Sequence, residues 1–302
     1  MLNTLRALSL TALVVVVAAC AGSAASGSPP VSSPPTAGAS SSPGESPDFG
    51  AIDHLTGATD VVLRFEEGGG FVMPDFLATQ APIFTLYGDG TIIFRNPALE
   101  PLEPIGPVFP MRPFRTAHLT EEQVQDLLIT ALGEGGLGVA RPDYPNDLVA
   151  DAPTAVFTVN AGGIKKTVSI YALGLEMENV PDGPARAAFA KLASRLGNID
   201  DGGAFATAEY APERYRGILL DGQPGVPDAK PWPWTDIAPT DFASNGDPNA
   251  FQLPARVMTT EDVAALGIEP YAGGFQGLTL IGPEDGKSYS FSLRPLLPDE
   301  AG

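Results

Sequence analysis

Few residues in this sequence are of types that do chemistry, and they are scattered. His54 and His118 are its only imidazoles and Cys20 is its only thiol. His118 stands just before a helix start and reads as a satisfied structural histidine rather than a catalytic base. His54 reads as solvated. Asp143, Asp147 and Asp151 share a stretch with Asn146. Calcium takes about six to eight such oxygens, but the spacing is not that of an EF-hand and lacks its glycine and terminal Glu. Turn capping is therefore expected there, and no metal and no cofactor. Glu66 and Glu67 are consecutive, so a strand points them to opposite faces. A glycosidase draws its two acids from distant positions, and nothing here selects such a pair. Gly133-Glu134-Gly135-Gly136-Leu137-Gly138 satisfies G-x-G-x-x-G. It follows a helix, whereas the dinucleotide motif follows a strand and opens a helix onto the pyrophosphate; it reads as a helix C-cap running into a loop. Gly68-Gly69-Gly70 has no lysine after it and reads as a bulge or loop. No G-x-S-x-G, S-x-x-K or H-E-x-x-H occurs.

Pro231-Trp232-Pro233-Trp234 holds both tryptophans of the chain. Indoles suit a surface that is apolar on one side and wet on the other, as in a peptide or glycan groove. Trp232 and Trp234 are therefore the candidate ligand-binding residues, with Tyr210 and Tyr215 as possible lining. The competing reading is a loop pinned to a core. Pro231 and Pro233 fix φ and hold the loop extended, so at least one buried indole is expected.

The elements that must position these residues are short. Asp60–Glu66 reads as a strand. Pro82–Asn96 reads as a hairpin turning at Gly88-Asp89-Gly90, where glycine supplies the positive φ of a tight reversal. Thr120-Glu121-Glu122-Gln123 is a capping box. Behind it Val124, Leu127, Leu128 and Leu132 keep helical spacing up to Gly133. A second hairpin spans Ala155–Tyr171 and turns at Gly162-Gly163. A second helix spans Pro184–Leu196, with Phe189, Leu192 and Leu196 on one face. A third hairpin spans Gly277–Leu293 through Pro283-Glu284-Asp285-Gly286. Its return strand alternates Ser288, Ser290 and Ser292 with Tyr289, Phe291 and Leu293, which predicts one wet face and one buried face. Phe114–Leu128 and Ala255–Leu266 both read as strand, Thr-capped helix, then hairpin. A diverged duplication and convergent use of one capping signal fit this equally. The fold class expected is α+β: antiparallel β-hairpins with a few short capped helices packed on one face.

Charge narrows the function classes. With 36 acids against 17 bases the chain carries −19. That argues against nucleic-acid binding, which needs clustered cations, and against electrostatic docking onto anionic membranes. A single Cys leaves no internal disulfide framework and no Cys-based metal site. The 34 Gly and 31 Pro favour short strands and many turns.

The chain begins with Arg6 and an apolar run from Ala7 to Ala19, too short for a bilayer core, which takes roughly 20 apolar residues. Residues 1–19 fit a secretory signal. Val17-Ala18-Ala19-Cys20 resembles the lipobox of bacterial lipoproteins. The resemblance implies cleavage before Cys20, acylation of its thiol with palmitate-type chains, and anchorage at the extracytoplasmic face of the cell membrane. Between residues 21 and 48, 19 of 28 positions are Ser, Pro or Gly; such a segment cannot bury enough surface to fold and reads as a tether. As a flexible coil it spans about 30 Å. Residues 49–302 read as the extracytoplasmic domain, with possible lobes at about 49–200 and 201–302.

A second resemblance rests on GGGFVMPD (Gly68–Asp75), PIFTLYGDGTIIF, LTEEQVQDLL and DAPTAVFTVNAGGIKKTVSIY in that order. This series is similar to an uncharacterised domain family found in lipoproteins of high-GC bacteria. The resemblance implies an address and a fold and brings no chemistry. The expectation is a lipid-anchored surface protein acting as a non-catalytic binding or interaction module toward a protein, peptide or glycan. A hydrolase-like enzyme with a dispersed site and a purely structural envelope protein are the alternatives.

Overall fold

The computed structural model describes residues 50–95, 100–175, 180–201, 203, 205–242, 253–269, 271–284 and 286–300. The leader 1–19, Cys20 and the tether 20–48 lie outside the described residues, as does Asp285 of the third expected turn. Residues Phe49–Gly302 form one compact unit. In chain order its elements are β1 (Val61–Gly69), α1 (Pro74–Thr79), β2 (Phe84–Tyr87), β3 (Thr91–Phe94), β4 (Phe109–Pro110), β5 (Arg115–His118), α2 (Glu121–Leu132), β6 (Asp143–Tyr144), β7 (Pro153–Ala161), β8 (Ile164–Tyr171) and α3 (Gly183–Gly197). There follow β9 (Ala208–Glu209), β10 (Arg214–Asp221), β11 (Lys230–Pro231), β12 (Ala255–Thr259), α4 (Thr260–Ala264), β13 (Phe275–Ile281) and β14 (Ser288–Pro295). A 3-10 turn, Pro298–Glu300, follows β14. The fold is sheet-rich with few helices. Among the described residues no helix is long and apolar enough to cross a membrane.

The strands make two sheets. The first runs β6-β8-β7-β1-β2-β3-β5-β9; the second runs β11-β13-β14-β10-β12, with β4 added beside β13. The ladders are antiparallel except for the short pairs β6–β8 and β11–β13. The halves exchange strands: β4, from early in the chain, completes the second sheet, and β9, from late in it, completes the first. The three hairpins form where expected, the second turning through Gly162 and Gly163 at positive φ.

Helix starts follow their capping signals. Thr120 Oγ1 accepts from the Gln123 amide while the Gln123 side chain accepts from the Thr120 amide. Thr259 and Asp262 repeat the arrangement at α4. Each box satisfies two amides that a helix start otherwise leaves unpaired. Helices α2 and α3 cover one face of the first sheet, where Val124, Leu127, Leu128, Phe189, Leu192 and Leu196 meet Leu63, Phe65, Phe157 and Val159. The second sheet has its own core of Phe275, Leu278, Leu280, Phe291 and Leu293, closed by Trp234, Phe242 and Val263. A small third core of Tyr87, Ile93, Phe114 and Leu297 joins the two. Strand β2 is buried at every position because it is covered twice: Phe84 and Leu86 face the helices, and Tyr87 faces the second sheet's side.

The expected wet face of β14 is a correction. Ser288 and Ser292 are buried, because β14 is a central strand and α1 packs against it. Arg294 continues that serine row and reaches Glu300 with paired hydrogen bonds of 2.9 and 2.7 Å. The serines are small because another layer lies on them, not because water does. Helix α1 is thus on a different face from α2 and α3.

Candidate functional site

The two tryptophans face inward. Trp234 is 8 % exposed. Its Nε1 donates to the Asp262 carbonyl at 2.8 Å, and that of half-buried Trp232 donates to the Ile237 carbonyl at 2.6 Å. The indoles meet edge to face at 5.1 Å, and Phe242 and Phe291 pack on Trp234. Both polar atoms are used in fixing the loop. Tyr215 is buried against Tyr271, and Tyr210 donates to the Leu296 carbonyl in the third core. Trp232, Trp234 and Tyr215 thus belong to the second sheet's core and Tyr210 to the third core.

The other sequence candidates are also accounted for. In the loop from Gly133 to Gly138 the amides of Gly135, Leu137 and Gly138 donate back to the carbonyls of Thr130, Ala131 and Leu132. They close the end of α2 and face no phosphate. His118 is exposed at the end of β5. His54, expected in solvent, has a side chain only 5 % exposed, between the Leu55 carbonyl and Glu121. It is held there because the segment before β1 folds onto α2, where Gln125 bonds both the amide and the carbonyl of Ile52. The described residues contain no group of three or more His, Cys, Asp or Glu placed to hold a metal ion.

Apart from Tyr215, raised by burial in the second sheet's own core, the groups with strongly shifted titration lie between the sheets. Arg64 Nη2 and Tyr87 Oη both donate to Asp299 Oδ1, at 2.7 and 2.6 Å. Burial, then Asp299, pushes the Tyr87 hydroxyl far above its ordinary value. Arg95 stacks over Phe114 at 4.1 Å, and burial lowers its guanidinium to about 10. Burial also raises Glu66, whose β1 face is that of Arg64. Asp299 and Glu300, on one 3-10 turn, thereby tie the first sheet through Arg64 and Tyr87 to the second through Arg294. The ionic network is a clasp between layers.

A different region is open to solvent. Strand β1 ends, β7 begins and β8 ends at one pole of the first sheet, where Gly69 pairs with Pro153 and Thr154 with Tyr171. Three loops converge there: 70–73 after β1, 145–152 before β7, and the described parts 172–175 and 180–182 of the connection after β8. They display Phe71, Val72, Met73, Leu148 and Leu175, with Phe71 90 % and Met73 72 % exposed. Phe71 donates its amide to the Asp151 carbonyl. Gly70 must be glycine, since its φ is +81° and a Cβ would stand 3.1 Å from the same carbonyl. Asp151, Ala172 and Asp182 hold positive φ without being glycine, a conformation costly for Ala172 above all. Such strain persists only where the surroundings impose it.

Arg186 imposes it. Its side chain is buried, the residue being 1 % exposed, and the guanidinium donates to the carbonyls of Tyr144, Pro145, Tyr171 and Pro181 at 2.8, 2.7, 3.0 and 3.2 Å. One planar fork thus draws the ends of β6 and β8 and the start of α3 together. Beside it opens a cleft of about 740 Å³. Pro142, Pro145, Pro181 and Leu148 give it apolar walls, and Asp143, Asp147, Asp182 and Arg141 stand among them. Arg141 pairs with Asp182 and stacks over Tyr144 at 4.7 Å. Sequence reasoning placed Asp143 and Asp147 in a capping loop but missed the cleft. It also missed Arg186, although that residue sits one turn before Phe189 on the apolar face of α3.

The chain enters the folded unit at the other pole. Asp53 and His54 lie beside the β7–β8 turn, with the Asp53 carbonyl bonded to the Gly162 amide and His54 bridged to Ala161. Strand β7 runs from there to the apolar loops, roughly 27 Å at about 3.4 Å per residue. Comparison of the chain with protein-family models, curated proteins and solved structures gives no match.

Proposed function

We propose that the protein is a lipid-anchored binding module of the bacterial surface, and that the loop pole around Phe71 is its contact surface. The anchoring part rests on the lipobox at Cys20 and the Ser/Pro/Gly segment behind it. The binding part rests on one observation: five exposed apolar side chains lie on loops that converge at the pole away from where the chain enters, two of those loops carrying non-glycine residues at positive φ. Apolar clusters of this kind on a soluble surface mark interaction sites, and binding residues concentrate on loops carried by a rigid scaffold. A hydrolase-like reading gains nothing, because the strongly perturbed groups are buried in the cores or engaged between the sheets.

A photo-crosslinking residue at position 71, in the full chain in its native cell, should give a discrete adduct; the same residue at Val139, equally exposed but outside the pole, should not. No adduct from position 71, or matching adducts from both, would sink the reading. The anchor has its own test: Cys20→Ser should abolish fatty-acid labelling.

A further inference from the structure

Resting on that reading, we infer that the pole takes a cationic polypeptide segment carrying apolar side chains. The cleft beside Leu148 supplies both halves of the recognition. Its proline and leucine walls offer apolar contact. Its charges are three carboxylates against one guanidinium, and that guanidinium is already held by Asp182. Asp143 and Asp147 have no ion-pair partner among the described residues. An occupant that brings Lys or Arg supplies the missing charge at the rim, while its apolar side chains cover Phe71, Met73 and Leu148.

The bilayer is the other conceivable cover for exposed Phe and Met, and the charge of the pole disfavours it. Its rim is acidic, which anionic headgroups repel. A polypeptide also suits the dimensions, since a cleft of about 740 Å³ accommodates a few side chains of an extended segment.

The test uses residues 21–302 and three twelve-residue peptides: alternating Lys/Leu, Lys/Ser and Glu/Leu. Lys/Leu should bind best, and its affinity should fall with added salt. Asp143→Asn with Asp147→Asn should weaken it roughly tenfold, as loss of two rim charges does. Phe71→Ser with Met73→Ser should weaken it to a similar extent. Glu122→Gln with Asp126→Asn, on α2 near the opposite pole, should leave it unchanged and so controls for the overall negative charge. All these side chains are exposed, so folding is not at risk. Equal binding of Glu/Leu, or equal weakening by the α2 pair, overturns the inference. So does co-sedimentation with phosphatidylcholine or phosphatidylglycerol vesicles that is lost on Phe71→Ser, which would make the cover a lipid surface. If position 71 still crosslinks in the cell while Lys/Leu fails to bind, the binding reading stands and only the partner's chemistry is wrong.

Discussion

Asp299→Asn tests whether the ionic network between the sheets is a clasp. Asp299 Oδ1 accepts from both Arg64 and Tyr87, and the Arg64 and Asp299 side chains are 13 % and 19 % exposed. The substitution keeps the volume and removes the charge. Arg64 is then left largely desolvated opposite a neutral amide oxygen, which can still accept its hydrogen bond but brings no opposing charge. Removing one member of a fully buried pair costs about 3–5 kcal/mol; the residual exposure here puts the expectation near the bottom, at about 2–3 kcal/mol. For a unit of some 250 residues, 1 kcal/mol moves the melting temperature by roughly 2–4 °C, so Tm should fall by roughly 5–10 °C. Calorimetry measures that, and limited proteolysis adds where the damage lies: new cuts should appear after β14. Arg64→Met with Asp299→Leu and Tyr87→Phe should recover much of the loss, because neither a charge nor the Tyr87 hydroxyl is then stranded. A melting temperature unchanged within 1 °C in Asp299→Asn, or a triple variant worse than the single one, refutes the argument.

Three further outcomes follow from other contacts. Arg186→Met strands four carbonyls at once and should cost about 3 kcal/mol or more; Arg186→Lys should rescue little, since an ammonium cannot reach them as a fork does. Hydrogen exchange should accelerate in 143–149 and 172–175 while β1 and β7 stay protected, and uniform protection would count against a pinning role. Trp234→Ala should cost on the order of 3–5 kcal/mol, with the wild-type indole emission blue and poorly quenched by acrylamide; red emission would place the loop in solvent. Glu66 has a folded value raised by burial, so its contribution to stability is fullest below the ordinary carboxylate range and is lost as pH rises through the raised value. Glu66→Gln should therefore stabilise at pH 7 and confer no advantage near pH 4, and equal melting shifts at both pH values would contradict this.

What was legible in the sequence is what short-range physics decides. The hairpins at Gly88–Gly90 and Gly162-Gly163 and the capping boxes at Thr120 and Thr259 are settled within a few residues. Periodicity also placed Phe189, Leu192 and Leu196 on one buried face. It failed where a second layer intervened. The serine row of β14 looks wet because Ser is polar, yet it is buried since α1 packs against the strand, a contact between residues some two hundred positions apart. His54 failed similarly, since only the folding of residues 50–54 onto α2 takes its ring out of water.

The pole was illegible for a related reason. Phe71, Leu148 and Leu175 are widely separated in the sequence, and no local pattern links them. Their loops reach one pole because the register of β1 against β7, and of β7 against β8, brings the ends of three strands level. Arg186 then fixes loops whose own preferences oppose their shape, as positive φ at Ala172 shows. A surface loop with no role has no need of such a device: it relaxes, and its phenylalanine folds inward. Here the neighbouring loops are strained and buttressed while Phe71 and Met73 stay in water. Stability alone would favour neither. The arrangement makes sense when the side chains must stand ready in fixed positions, because a contact surface ordered beforehand loses less conformational entropy when its partner arrives.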